Sequence, residues 1–334
     1  MQRESTLGRA LWIAIVVLLL GYVVADFVRS PFLAPSGSAA VRPANLTLWT
    51  ASAESGGETG TVLRDAAAAL ELGGHSTVVK SLSGGSAQAV IEFFSQTPSS
   101  RGADLLVITS STLADLAHDR RDRLVPGASE QAALAREMLR RAQPVGLLES
   151  DPLALAVSSN SPIQSGPELT DSMYSKPWEQ LVAIADDTWS RVELAALVNR
   201  AGVNGHIRFS VFQSGAEAGQ AIEIGAANSV VATRGAIHDD VARGLLRELD
   251  WPFSDGRAPR AWVALVARPD QANATLLRLR SWVAELRRDR HWRAQLSRAG
   301  RFAGGPETER LLELLHSPAK ADRLERLAQR VERR

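Results

Sequence analysis

The chain has 334 residues, of which 45% are hydrophobic and 22% are charged, a composition typical of globular proteins. This length predicts about two domains, each large enough to bury its own core. Lys and Arg number 38 against 37 Asp and Glu, and the resulting net charge of +1 argues against a dedicated nucleic-acid-binding protein. The absence of cysteine excludes disulfides, a thiolate nucleophile, a cysteine-ligated metal centre and a lipid anchor on an N-terminal cysteine.

Residues 1–28 have the pattern of an export signal. Arg3 and Arg9 come before an apolar run that extends from Ala10 to Ala25. As a helix this run would be about 24 Å long, shorter than the roughly 30 Å hydrocarbon core of a bilayer. Two interpretations stay open, a cleaved signal peptide and an uncleaved segment that anchors the chain to the inner membrane through residues 10–28. Both predict an extracytoplasmic, periplasmic protein.

Residues 29–44 are predicted to be a linker because Pro31, Pro35, Gly37 and Pro43 interrupt regular structure there. After the linker, predicted strands and helices alternate. The first three strands are predicted at 45–51, 77–82 and 104–109, and the first helices at 61–72, 87–96 and 111–141. Further strands are predicted at 154–157, 178–185, 207–211, 229–233 and 261–267. Further helices are predicted up to residue 201, over 216–224, from 238 and from 272.

This alternation predicts an α/β protein made of two doubly wound lobes. The two strongly apolar strands, at 153–157 and 261–267, are the expected crossings between the lobes. Lobe 1 is therefore predicted to comprise 45–153 plus 268–334, and lobe 2 to comprise 154–267.

The sequence shows no motif on which an enzymatic mechanism could rest. It lacks a Gly-x-Ser-x-Gly nucleophile elbow, a His-Glu-x-x-His motif, a phosphate-binding P-loop and a Gly-x-Gly-x-x-Gly dinucleotide loop. The six histidines are scattered without the spacing of metal ligands. The adjacent carboxylates of Asp186 and Asp187 are more typical of a helix cap than of an acid–base pair. We therefore predict a protein that is not an enzyme and that needs no metal or other cofactor.

Two Gly-rich loops, at 52–60 and 83–86, each follow a predicted strand and come before a predicted helix. Free backbone N–H groups and the positive end of a helix dipole suit a carboxylate or a phosphate. The carboxyl ends of neighbouring strands meet at one edge of a sheet, where open α/β sheets bind ligands. The two loops together therefore predict a ligand cleft, without identifying the ligand.

The predicted C-terminal helices are rich in arginine. Arg278, Arg280, Arg287, Arg288, Arg290 and Arg293 alternate with apolar residues that would form the buried face of a packed helix. Because the chain uses arginine far more than lysine, we interpret this pattern as a solvated helix face rather than a nucleic-acid-binding surface.

Five segments in this order carry a resemblance to a known family: Gly56–Gly60 with Arg64, Val78–Ser86, Gly102–Leu106, Ser159–Ile163 and Val211–Ala218. Over about residues 45–315 the chain resembles the substrate-binding component of the tripartite tricarboxylate transporters, the TctC or Bug family. The resemblance implies a periplasmic-binding-protein-like fold, in which two α/β lobes close over a small ligand, usually a carboxylate. It also implies membrane permease subunits as partners.

The same resemblance implies which residues hold the ligand. In lobe 1 they are Ser55, Gly56, Gly57 and Thr59 of the first loop and Gly84, Gly85 and Ser86 of the second. In lobe 2 they are Asp187, Thr188, Ser190, Gln213 and Ser214.

The chain also departs from the family pattern. Gly60 replaces an aspartate, and Asp186–Trp189 replaces a small Gly/Ser loop. Glu54 and Glu58 add negative charge beside the predicted anion site, which would repel a carboxylate unless these side chains point away or pair with an ammonium group. A ligand that carries an amine, or an uncharged ligand, therefore stays open beside a carboxylate.

Two functions are compatible with this pattern. The first is an extracytoplasmic solute-binding protein that captures a small, carboxylate-bearing or amino-acid-like metabolite by hinge closure and delivers it to a tripartite-type permease. The alternative is a membrane-tethered ligand sensor of the same fold that signals to a partner protein. Retention of residues 10–28 in the exported protein would favour the sensor.

Overall fold

The computed structural model describes residues 45–50, 63, 67–68, 76–82, 85–98, 102–117, 128–186, 188–203, 207–252 and 258–304. All of them lie in one compact unit, Pro43–Arg334. The predicted export segment and linker lie outside the described residues. Within the described part of the chain, no helix combines the length and the apolar character needed to cross a bilayer.

Ten strands within the described residues form one mixed sheet. They are β1 Asn45–Thr50, β2 Ser76–Ser81, β3 Ala103–Thr109, β4 Gln143–Ser158, β5 Leu181–Ala185, β6 Arg208–Phe212, β7 Ser229–Thr233, β8 Leu246–Leu249, β9 Arg260–Ala267 and β10 Phe302–Ala303. The strand order is β2-β1-β3-β9-β4-β7-β5-β6, and β8 and β10 also pair with β4.

Nine helices have described bounds. They are α1 Gly85–Ser95, α2 Ser110–Ala117, α3 Ala128–Arg141, α4 Gly166–Ser175, α5 Thr188–Arg200, α6 Gly215–Glu223, α7 Arg234–Ala242, α8 Asn273–Arg288 and α9 Arg290–Arg298. A short 3-10 turn, Pro177–Glu179, replaces the start of the strand that was predicted from residue 178. The helix predicted over 111–141 is represented by α2 and α3, and residues between them lie outside the described part.

The long strand β4 is the centre of the sheet. Its residues 143–152 pair with β9, and its residues 153–158 pair with β7 and β8. We call the strands on the β9 side (β1, β2, β3, β9) the first half of the sheet and those on the β7 side (β5, β6, β7, β8) the second half. Strand β4 therefore belongs to both halves.

The α/β class predicted from the alternation of elements is confirmed, but the sheet is mixed rather than parallel throughout. Strands β1, β2 and β3 are parallel to one another, as are β5, β6 and β7. The strands β9 and β4 between these two groups are antiparallel to their neighbours. The boundaries of the two predicted lobes stay a prediction.

Helices cover both faces of each half because the strands bury side chains alternately on the two faces. In the first half, Leu105 and Val107 face a core with α8 and α9, while Leu106 and Ile108 face a core with α1, α2 and α3. In the second half, one core lies against α4 and α5 and the other against α6 and α7. Both halves thus have a helix layer on each side of the sheet.

Strand β4 begins at Gln143, well before residue 154, where the sequence predicted its start. The prediction was wrong because Glu149, Ser150 and Asp151 interrupt the apolar pattern that indicates a buried strand. All three are at most 5% exposed, and the described contacts that compensate for their burial come from residues distant in sequence. Strand β8 was also missed, because Leu246–Leu249 is short and contains two charged residues.

Candidate functional site

The carboxyl ends of the two parallel groups of strands meet at the same short stretch of β4. Thr109, the last residue of β3, is opposite Val263 of β9, and Val263 is in turn opposite Glu149 of β4. Thr233, the last residue of β7, is opposite Leu153 of β4. Both carboxyl edges therefore adjoin residues 149–153. Ligands of open α/β sheets bind outside such edges, which makes this region the candidate site.

Five helices begin where these parallel strands end. Helices α1 and α2 follow β2 and β3, and helices α5, α6 and α7 follow β5, β6 and β7. Each helix start presents backbone N–H groups and a positive dipole end towards the same region. The arrangement favours an anionic group without requiring a cationic side chain.

At three of these five helix starts, the contacts of the described residues include a cap formed by the chain itself. At α2, the Thr109 hydroxyl accepts a hydrogen bond from the Thr112 backbone N–H at 3.0 Å, and the Thr112 hydroxyl accepts one from the Thr109 N–H at 3.2 Å. At α7, the Asp151 carboxylate accepts the Gly235 backbone N–H, with both oxygens 3.2 Å from the nitrogen. The α2 cap could have been recognised from the Thr-Ser-Ser-Thr sequence, whereas the α7 cap is distant in sequence.

The third capped start is that of α6. The Ser214 hydroxyl accepts a hydrogen bond from the Glu217 N–H at 3.2 Å, and the Glu217 carboxylate accepts the Gln213 N–H at 3.1 Å. The same Gln-Ser-Gly-x-Glu sequence recurs at the start of α4, with the same two hydrogen bonds, from Glu168 to the Ser165 hydroxyl and from Gln164 to the Glu168 carboxylate. The pattern is thus a helix-capping motif, and the prediction that Gln213 and Ser214 bind a ligand stays a prediction.

Among the predicted lobe 1 residues, Gly85 and Ser86 are described. Gly85 is the first residue of α1 and has φ of +80°, a conformation that favours glycine. The Ser86 hydroxyl donates a hydrogen bond of 2.7 Å to the carboxylate of Asp115 in α2. Asp115 was not predicted from the sequence. The other predicted residues of this lobe, Ser55, Gly56, Gly57, Thr59 and Gly84, lie outside the described residues.

Among the predicted lobe 2 residues, Thr188 begins α5 and Ser190 is fully buried in its first turn. Asp187 and the side chain of Thr188 lie outside the described part. Asp186 follows β5 directly, and its carboxylate forms an ion pair with Arg191. Its negative charge is therefore partly compensated within the chain.

A small apolar contact joins the two halves beside the candidate site. Ala114 of α2 is fully buried against Val192 of α5, and Trp189 packs against this pair. Because α2 follows a strand of the first half and α5 follows a strand of the second, the contact links the two carboxyl edges directly. It is the kind of contact that a hinge motion would make and break.

Buried charges surround the stretch of β4 that both edges adjoin. Arg301, which comes directly before β10, forms ion pairs with Glu149 at 3.8 Å and with Asp151 at 3.6 Å. All three residues are at most 9% exposed. Space is so limited that a Cβ atom on Gly235 would lie 2.7 Å from both Arg301 Nε and Asp151 Oδ2. The C-terminal segment is thereby tied to β4, and through Asp151 to the start of α7.

Helix α5 also carries a carboxyl group with unusual titration. Burial raises the pKa of Glu193 to about 7 from its ordinary value of 4.5, although Arg200 lowers it in part. The folded chain therefore binds the proton more tightly than the unfolded chain does. The contribution of protonated Glu193 to the stability of the fold is therefore expected to be complete below pH about 4.5 and to be lost as the pH rises to about 7.

We predict that Glu193→Gln removes this pH dependence. The rise in the pKa of Glu193 corresponds to about 3 kcal/mol. At pH 8 the free energy of unfolding of the variant is therefore expected to be higher than that of the parent chain by about this amount. At pH 4 the two should be nearly equal. Urea unfolding at both pH values measures the difference, and Glu285→Gln, at an exposed position on α8, is the control. Equal stabilities of variant and parent at pH 8 would contradict the raised pKa.

The described residues contain no group of three His, Asp or Glu side chains that could hold a metal ion. The predicted absence of a metal or cofactor stays a prediction for the whole chain.

Comparison with known proteins gives the class of the fold. No protein-family model matches the chain, and no curated protein sequence matches it. Solved structures do match, and several of them are periplasmic solute-binding proteins. A TctC solute-binding protein from Polaromonas is 16% identical, with a TM-score of 0.63 over 87% of this chain and 99% of that protein.

Two proteins of Rhodopseudomonas palustris are similar to the same extent. MatC, solved with bound malate, is 18% identical with a TM-score of 0.62 over 86% of this chain and 99% of its own. Rpa4515, solved with adipate, is 18% identical with a TM-score of 0.63 over 87% and 98%. The resemblance seen in the sequence is therefore confirmed at the level of the fold, which is the fold of the TctC-type periplasmic binding proteins.

Proposed function

We propose that this chain is an extracytoplasmic solute-binding protein that captures a small, carboxylate-bearing metabolite by closure of two lobes and delivers it to a tripartite-type membrane permease. The observation that carries the proposal is the meeting of both carboxyl edges, with five helix starts, at residues 149–153 of β4. Such convergence of backbone N–H groups suits a carboxylate. The malate and adipate bound to two proteins of the same fold belong to this ligand class.

The helix starts differ in what they can offer a ligand. Those of α2, α6 and α7 already bond side chains of the chain itself, namely Thr109, Ser214 and Asp151. Ligand residues were predicted at the starts of α1 (Gly84, Gly85 and Ser86), α5 (Asp187, Thr188 and Ser190) and α6 (Gln213 and Ser214), and the last of these starts is among the three that already bond the chain's own side chains. We therefore assign the ligand carboxylate to the starts of α1 and α5, one in each half.

The lobes would close as the crossing strand β4 bends near residues 149–153. The contact of Ala114 with Val192 and Trp189 supports closure, because it joins helices of both halves beside the site. The predicted export segment and the family resemblance support the proposal that the ligand is delivered to a membrane permease. N-terminal sequencing of the exported protein tests the alternative, since retention of residues 10–28 would favour a tethered sensor.

Ligand-free protein should be screened by thermal shift against mono-, di- and tricarboxylates and amino acids. A ligand at 100 times its dissociation constant should stabilise the protein by about 2.7 kcal/mol. Failure of every compound to raise the unfolding temperature would contradict the proposed function.

Replacing Ser86 with alanine is expected to weaken binding of the best compound in that screen by about 5- to 30-fold. The hydroxyl holds the first turn of α1 through its hydrogen bond to Asp115. Loss of this bond, which contributes about 1–2 kcal/mol, would loosen the backbone N–H groups at the start of the helix. Isothermal titration measures the dissociation constant, and Ser95→Ala, at the exposed other end of the same helix, is the matched control. Equal affinities of both variants would remove Ser86 from the site.

A further inference from the structure

The positive charge of the chain is concentrated in the two helices α8 and α9. They contain seven arginines, namely Arg278, Arg280, Arg287, Arg288, Arg290, Arg293 and Arg298. The only carboxylates of the segment 273–298, which comprises both helices and Asp289 between them, are Glu285 and Asp289, so this segment carries a net charge of +5 in a chain of net charge +1. The rest of the chain is therefore negative overall.

These charges lie on one outer surface. The buried residues of α8, such as Leu279 and Val283, and those of α9, Trp292 and Leu296, all belong to the same core on one face of the first half of the sheet. The opposite sides of both helices consequently face away from that core. Arg288, Arg290, Arg293 and Arg298 are all exposed there. We call the outer side of α8 and α9 the basic face.

Elsewhere in the described chain, arginines are commonly neutralised by carboxylates. Ion pairs join Arg141 with Glu137, Arg191 with Asp186, Arg234 with Glu248, Arg243 with Asp240 and Arg301 with Asp151. No described carboxylate lies within ion-pair distance of Arg288, Arg290, Arg293 or Arg298. Asp289 between them caps α9 by accepting the Trp292 N–H at 2.7 Å.

Arg288, Arg290 and Arg293 therefore place like charges close together in the sequence. The pKa of Arg287 is lowered, mainly by burial and further by the neighbouring charge of Arg288. The arginines in the last turns of α8 and α9 suit the helix dipoles. Arg290 and Arg293, one turn apart at the beginning of α9, repel each other without that benefit. An anionic partner would relieve the repulsion.

The composition of the basic face indicates the kind of partner. Protein interfaces depend on buried aromatic and aliphatic anchors, but among the large apolar side chains of α8 and α9 only Leu277 is exposed. Anionic lipid headgroups need no such anchors, because each nearby arginine is attracted by charge alone. The predicted apolar segment 10–28 and linker 29–44 would keep the chain near such a surface.

We propose that the basic face docks on the anionic surface of the membrane that the chain faces outside the cytoplasm. Docking would orient the protein on the membrane, whether or not residues 10–28 also anchor it there. The inference concerns the orientation of the protein and does not depend on which ligand it binds.

Fluorescence quenching in nanodiscs tests this orientation with the full chain. Because the chain has no cysteine, Ser297→Cys places a single fluorophore on the exposed side of α9. Ser175→Cys, at the exposed end of α4 in the second half, provides the reference site. The nanodiscs contain headgroup-spin-labelled lipid in either 30% phosphatidylglycerol or pure phosphatidylcholine.

Quenching at residue 297 is expected to be at least twice that at residue 175 in anionic nanodiscs. It should fall to the level seen in neutral nanodiscs at 500 mM salt, where the charges are screened. The triple variant Arg288→Glu, Arg290→Glu, Arg293→Glu should abolish the difference. Arg140→Glu, Arg141→Glu, Lys176→Glu makes the same change in net charge elsewhere and should retain it.

Equal quenching at the two sites, or quenching unaffected by lipid charge, would overturn the proposal. Quenching that appears only when a permease protein is included would assign the basic face to a protein partner instead and would also overturn it. Circular dichroism of each variant establishes that it is folded, as exposed substitutions away from packed contacts usually are.

Discussion

Replacing Arg301 with methionine is expected to lower the free energy of unfolding by about 3–5 kcal/mol at pH 7.5. The substitution leaves the carboxylates of Glu149 and Asp151, which are 4% and 5% exposed, without the positive charge that lies 3.8 and 3.6 Å away. Methionine fills a similar volume, so the loss arises from charge rather than from a cavity. Urea unfolding followed by circular dichroism measures it.

The pH dependence distinguishes this mechanism from a packing defect. At pH values low enough to protonate Glu149 and Asp151 in the variant, the negative charge that Arg301 no longer balances disappears, and the deficit should shrink. Arg298→Met is the control, because Arg298 is exposed and its substitution should change stability by less than about 0.5 kcal/mol. A deficit for Arg301→Met below 1 kcal/mol, or one that is independent of pH, would contradict the role of the ion pairs.

Replacing Ala114 with aspartate is expected to weaken ligand binding by about 100-fold or more. Ala114 is fully buried where α2 meets α5, so an aspartate there would be buried without a partner whenever the two halves are in contact. If the halves separate, the carboxylate becomes solvated. The closed state is then destabilised relative to the open state by several kcal/mol. Each 1.4 kcal/mol of this difference weakens ligand binding tenfold. This prediction depends on the proposed function.

Two measurements separate closure from general damage. Titration with the best compound of the thermal-shift screen gives the affinity, and the unfolding midpoint without ligand should change by only a few degrees. Ala274→Asp, at an exposed position in the first turn of α8, is the matched control and should bind normally. A large drop in the midpoint without ligand would place Ala114 in a core of one half. Unchanged affinity would mean that the contact takes no part in closure.

Much of the architecture could be predicted from the sequence because local patterns determine it. The apolar strands β3, β7 and β9, and the Ser214–Glu217 cap of α6, are visible as short runs of residues. The direction of the strands was less predictable. Runs such as Ala103–Thr109 and Arg260–Ala267 have the same apolar character, although β9 is antiparallel to β3. An apolar run indicates that a strand is buried on both faces of the sheet, but it does not indicate whether the strand is parallel or antiparallel to its neighbours.

The candidate site, too, could be predicted from the sequence only in part. Its helix starts were expected at the Gly-rich turn 83–86 and after Ala185, because a strand followed by small or polar residues and a helix is a local signal. Asp115 beside Ser86 was not expected, nor was the burial of Glu149 and Asp151 against Arg301. These partners are separated by 29 residues in the first case and by about 150 in the second.

The sequence by itself determined the α/β class, the absence of cysteine chemistry and the near balance of charge. It also contained the arginine-rich helices, which on their own indicated only a solvated face. Only the tertiary structure decided that two carboxyl edges meet at residues 149–153 of β4, that buried charges there are paired, and that the arginines of α8 and α9 share one outer surface. The reason is physical. Composition and periodicity depend on neighbours along the chain, whereas charge compensation and convergence depend on distances that only the folded chain establishes.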